Sequence, residues 1–125
     1  MRVPWILLAF MSLAAGPAFA QDPVVVDSTH YTLVFENDQV RVLRIHYGPH
    51  EESVMHSHPA GVAIMLDDFN MQFTLPDGEV VDIEGEARDA IWAEAGPHRP
   101  KNLSDQRTEV ILVEIKDPPD GGSSE

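Results

Sequence analysis

The chain has 125 residues, 21 acidic against 8 basic for a formal net charge of −13, and no cysteine. That length bounds it to one domain. The charge argues against nucleic-acid or anionic-membrane partners, which need positive charge, and the lack of thiols excludes disulfide scaffolds, thiolate zinc sites, iron–sulfur clusters and cysteine nucleophiles. Any metal must be held by His, Asp or Glu, and ten prolines with eight glycines favour a turn-rich β-chain over a helical one.

Residues 1–20 (MRVPWILLAFMSLAAGPAFA) read as a secretory leader. Arg2 is the positive start, Trp5 to Leu13 the apolar run, and Ala18-Phe19-Ala20 a small-x-small cleavage site. The run is short of the roughly 20 apolar residues a membrane span needs. Cleavage after Ala20 takes twenty residues and one arginine, leaving 105 residues at −14. The expected location is periplasmic or secreted, with no membrane attachment after cleavage.

Residues 21–29 form a polar lead-in around Val24-Val25-Val26. The domain is expected over 30–116. His30 to Glu36 and Val40 to Tyr47 alternate as strands around an Asn37-Asp38 turn. In the second, Val42, Arg44 and His46 share one face, and Arg41, Leu43, Ile45 and Tyr47 the other. Gly48-Pro49 ends it. Ser53 to His58 is a further strand, closed by Pro59, and the continuous apolar run Gly61 to Leu66 reads as a buried one. Asn70 to Leu75 and Val80 to Glu84 pair across Pro76-Asp77-Gly78, where Pro presets φ and Gly accepts positive φ. Ala90 to Ala95 is another strand, Gly96-Pro97 kinks into His98, and Glu109 to Lys116 is the last. Residues 117–125 (DPPDGGSSE) read as a disordered acidic tail. No segment of the mature chain reads as an amphipathic helix. Eight or nine short strands point to an all-β sandwich or barrel.

The six histidines carry the chemistry. His56 and His58 alternate on one strand face, about 7 Å apart at Cα, so both imidazoles can converge on one ion at about 2.0–2.1 Å. His98 lies on a later segment that a neighbouring strand can bring alongside. A lone His-x-His is equally well two surface residues. Gly48, then His56-Ser57-His58, then Gly96-Pro97-His98 and Asn102, resemble the two motifs of the cupin superfamily in order, over roughly residues 30 to 116. The resemblance implies a single-domain cupin-type β-barrel or jelly roll of about 8–10 short antiparallel strands. It also implies a metal held by His56, His58 and His98.

The chain departs from the cupin pattern in one respect. Where the motif glutamate should stand are Gly61, Val62 and Ala63. A three-histidine set is similar to that of the thiol dioxygenases and the acetylacetone-cleaving dioxygenase. This implies ferrous iron first, with zinc, manganese, nickel or copper as alternatives, and a small chelating organic substrate. Three neutral ligands leave the ion its full charge and open positions.

Around these ligands, Arg44 is the first candidate to bind a substrate carboxylate, because its parity matches His46; Arg99 and Lys101 are further cations. His46 is either a surface strand residue or a partner to the metal ligands, and Glu94 is the nearest replacement acid. His50 reads as a solvated loop residue and His30 as the start of a strand. Met55, Met65 and Met71 are core fillers or soft ligands, and Trp92 and Phe73 are core. Three functions follow. The first is a metal-dependent dioxygenase-like enzyme. The second is a non-catalytic periplasmic cupin that binds or senses a metal or small ligand. The third is a metal-free structural or interaction barrel. A homodimer through sheet edges or faces would bury more surface for so small a domain.

Overall fold

The computed structural model describes residues 21–117. The expected leader, and residues 118–125 of the expected tail, lie outside the described residues. Nine strands follow a short helix: α1 (Pro23–Val26), β1 (Tyr31–Glu36), β2 (Val40–Tyr47), β3 (His56–His58), β4 (Gly61–Met65), β5 (Phe69–Thr74), β6 (Val80–Gly85), β7 (Ala90–Ala93), β8 (Gly96–Asn102) and β9 (Thr108–Ile115). They form a five-stranded sheet ordered β1-β2-β9-β4-β7 and a four-stranded sheet ordered β3-β8-β5-β6. All described pairings between strands are antiparallel. The expected all-β jelly roll is the observed fold.

Period-2 alternation decides which residues face inward. On β9, Thr108, Val110, Leu112 and Glu114 are buried and their neighbours are not. On β2 the inward set is Leu43, Ile45 and Tyr47, with Arg41 at the same parity. Tyr31, Leu43, Tyr47, Met71 and Leu112 form the core cluster, where each buried large side chain contributes about 1.5–3 kcal/mol. The Pro76-Asp77-Gly78 turn forms as its residues require: Gly78 takes φ 87° and donates to the Leu75 carbonyl at 2.9 Å.

Two segments differ from expectation. The lead-in holds one helical turn, α1, started by Asp22, whose side chain accepts from the Val24 N–H at 3.0 Å. Asp22 also binds Arg41 through both carboxylate oxygens, each at 2.6 Å, which ties the lead-in to the barrel. The kink expected at Gly96-Pro97 is instead the start of a seven-residue strand. Pro97 and Pro100 argue against a strand because they lack an N–H for the ladder. β8 accommodates them by changing neighbours, pairing with β3 through Gly96–His98 and with β5 through Arg99–Asn102.

Candidate metal centre

Strand pairing creates the cluster. The β3–β8 register sets His56 directly opposite His98, and His58 opposite Gly96. The ring centroids of His56 and His98 are 5.1 Å apart, and those of His58 and His98 are 4.8 Å apart. His56 and His58 are buried and His98 is half-buried.

The ring nitrogens have divided tasks. His56 Nδ1 donates to the Val54 carbonyl at 2.9 Å, and His58 Nδ1 donates to the Pro59 carbonyl at 2.8 Å. A proton held on Nδ1 leaves Nε2 as a bare lone pair, the form a metal takes. His56 Nε2 is buried with no hydrogen-bond partner. An orphaned buried acceptor calls for an explanation, and an absent ligand atom supplies one. Burial holds His56 below the usual histidine range. Burial first, then the neighbouring His58 and His56, lowers His98 to about 3. Burial thus favours the neutral rings of His56 and His98, the form that ligation requires. Among the described residues no group of three or more His, Asp or Glu is arranged to hold a metal ion; the His98 ring rests against Phe73 at 4.9 Å.

The glutamate's absence has a steric counterpart. Gly61 is buried where β4 meets β9, and a Cβ there would lie 2.0 Å from the Val113 carbonyl oxygen. Ala63 does face the interior, but its short side chain leaves space. That space is part of a cavity of about 400 Å³ between the sheets, with His58 and His98 in its wall.

The other sequence candidates lie elsewhere or take other roles. Arg44 and His46 share parity, as expected, but their face is the outer one. Arg44 is 56% exposed and pairs with Glu109 at 3.3 Å, so it cannot meet a carboxylate in the cavity. Arg99 pairs with Glu52 at 2.7 Å, and Lys101 faces Glu52 across an isolated bridge. Glu94 is exposed at the cavity edge. Trp92 and Phe73, expected in the core, line the cavity with Met71, and Trp92 is 56% exposed. Met65 is buried core and Met55 is exposed. His50 does lie in an exposed loop, with Nε2 2.6 Å from Asp105. Asn102 is a clamp: its side-chain amide faces the carbonyls of Tyr47, Gly48 and Gln106, and its oxygen accepts from the Ser104 N–H.

Sequence reasoning missed two groups beside the histidines. The Tyr31 and Tyr47 hydroxyls are 2.6 Å apart, and the Tyr31 ring meets His56 edge-on at 4.8 Å. Burial holds both phenols well above their usual range, so they stay protonated. Tyr47 shares its β2 face with Leu43 and Ile45, opposite Arg44, and alternation alone does not say which face is covered. The second group centres on His30. Its Nδ1 meets Asp27 at 2.8 Å and its Nε2 meets Glu51 at 2.8 Å. Burial works to lower its pKa, but the hydrogen bonds from Glu51 and Asp27 outweigh it and raise the value. The ring stacks on Tyr47 at 4.4 Å. Asp27 also accepts from the Ser53 hydroxyl, which stands 3.3 Å from His56 Nδ1. Contacts therefore run unbroken from exposed Glu51 to the buried histidines.

No family model and no curated protein matches the chain. Solved structures do resemble it. A cupin domain from Bordetella pertussis Tohama I superposes with a TM-score of 0.64 at 22% identity, over 70% of this chain and 92% of that one. A conserved protein with a double-stranded β-helix domain from Klebsiella pneumoniae gives 0.54 at 21% identity, over 74% and 78%. The polyketide cyclase RemF from Streptomyces resistomycificus gives 0.52 at 18% identity, over 76% and 72%. This chain is a small single-barrel protein of the cupin fold.

Proposed function

We propose that this protein is a metal-dependent cupin that holds one divalent ion on His56, His58 and His98 and acts on a small organic molecule in the adjoining cavity. The observation that carries the reading is the bare, buried Nε2 of His56, with the His98 ring 5.1 Å from the His56 ring and 4.8 Å from that of His58. The donor types suit a divalent ion: imidazoles, two with Nδ1 fixed by backbone carbonyls, and no thiolate.

A ferrous ion there would supply Lewis acidity and one-electron chemistry toward dioxygen, which favours the dioxygenase class of reaction. The chain's own part is to orient the rings, exclude bulk water with apolar walls, and present the Tyr31–Tyr47 hydroxyl pair to the molecule bound. A cyclase among the structures of the same fold supports an enzymatic reading over a metal-free scaffold. The leader-like first twenty residues further support export to the periplasm or beyond, checked by N-terminal sequencing of the processed chain, expected to start at Gln21.

The test of the centre is metal analysis of protein purified without chelators. One ion per chain is expected, lost in the His56→Ala/His58→Ala variant. Full metal content in that variant would overturn the assignment. Protein that binds Fe(II) but consumes no oxygen with any chelating substrate would overturn the dioxygenase class alone.

A further inference from the structure

The cavity constrains the molecule it receives, and this deepens the functional reading above by naming a ligand class for that site. Its polar lining includes buried Tyr31, Tyr47 and His58, with half-buried His98. Its walls are Phe69, Phe73, Met71, Ile91, Val110 and Leu112. Its exposed lining, where it meets solvent, is Val81, Trp92 and Glu94. Among the described residues that line it none is Lys or Arg, and Glu94 is the one carboxylate. Five of the seven Lys and Arg among the described residues pair elsewhere: Arg41 with Asp22 and Glu114, Arg44 and Arg107 with Glu109, Arg99 with Glu52, and Lys116 with Glu36.

We infer that the cavity takes a molecule with an apolar, aromatic-sized body and a single compact hydroxyl or enol head. The head sits among Tyr31, Tyr47, His58 and His98, and the outer end carries no negative charge. The hydrogen-bond inventory of the ion-free cavity matches such a head. Of two mutually bonded phenols, one proton is used between them and the second is the donor, while imidazole nitrogens that hold no ion accept. A phenolic or enolic hydroxyl both donates and accepts, so it satisfies both sets. A carboxylate drawn into the cavity would lose its water and find no cation, which is strongly disfavoured, and one left at the exposed rim would meet the like charge of Glu94. The volume lies at the small end of the range for ligand pockets. A substrate carboxylate held by a protein cation, the role first considered for Arg44, does not fit this site.

The experiment compares 4-propylphenol with 3-(4-hydroxyphenyl)propanoate, which share a head and a length and differ in the charge at the far end. Each is titrated calorimetrically into the full chain after metal removal, with a melting curve to confirm folding. The phenol is expected to bind at least tenfold more tightly and to change Trp92 emission, a change absent in Trp92→Phe. Glu94→Gln is expected to narrow the gap by improving the propanoate alone. Equal affinity, preference for the propanoate, or binding that leaves Trp92 emission unchanged would overturn the inference. Metal content is measured on separate protein. A metal-free protein that still prefers the phenol keeps this inference and loses the metal reading; one that holds metal but binds neither probe does the reverse.

Discussion

At the scale of single residues, His30 shows most clearly how neighbours set chemistry. Both ring nitrogens face carboxylates, Asp27 and Glu51, so the ring is most useful when it carries two protons. Its pKa is raised in the fold, and the sign of the pH effect follows. The stabilisation is complete below the ordinary histidine value of 6.5, down to where the carboxylates protonate. It is lost as pH rises through the higher folded value, where the ring keeps one donor for two acceptors. The melting temperature of wild type over His30→Gln is expected to exceed parity most near pH 6 and to shrink steadily toward pH 9. A difference that grows with pH would contradict the charged-ring description. His56 and His98 shift the other way because burial, not a carboxylate, dominates their surroundings. Identical residue types thus divide between a ring favoured in its charged form by two carboxylates and rings favoured in their neutral form by burial, according to what faces each.

At the scale of elements, the β4–β9 pairing is the tightest constraint near the site. Gly61 lies opposite Glu114, and its missing side chain lets the Val113 carbonyl approach. The obstacle is backbone, so it cannot rotate away. Gly61→Ala is expected to destabilise the fold by at least about 2 kcal/mol, as overpacked substitutions do, measured by urea unfolding. A loss under half a kcal/mol would mean the strands separate more easily than this contact implies. The same elements show what was legible in the chain. The alternation in Val40 to Tyr47 and the Pro76-Asp77-Gly78 turn marked β2 and the β5–β6 hairpin with nearly correct ends. β8 was not legible, because two prolines hide a strand whose pairing changes partner midway. Its discovery matters for the site, since β8 carries His98 to a position opposite His56.

At the scale of the whole molecule, a small barrel with a cavity inside has few buried side chains to hold it, and the chain has no disulfide. A bound ion would then weigh heavily, because a ligand that binds only the folded state stabilises it by mass action, about 2.7 kcal/mol at a hundredfold excess over Kd. Adding EDTA to metal-loaded protein is expected to lower the melting temperature by more than about 5 °C, and to leave the His56→Ala/His58→Ala variant unchanged. Equal shifts in both proteins would place any effect of the chelator outside this centre.

The sequence by itself determined an all-β chain of about nine short strands, the β2 face pattern, and a histidine pair at a spacing that puts both rings on one side. These are local properties: alternation, turn residues and i, i+2 geometry act within a few residues. It also located the missing glutamate, since a motif gap is a matter of spacing. Only the tertiary structure decided which face of β2 is inside, because alternation defines two faces without saying which one another sheet covers. That choice placed Arg44 in solvent, His46 half-buried near His30, and Tyr47 beside the cavity. The same holds for Glu51, which lies 21 residues from His30 and meets it only when the loop after β2 packs against the start of β1. Register between β3 and β8, a long-range property, set His98 against His56 and made a cavity wall of residues that share no sequence pattern.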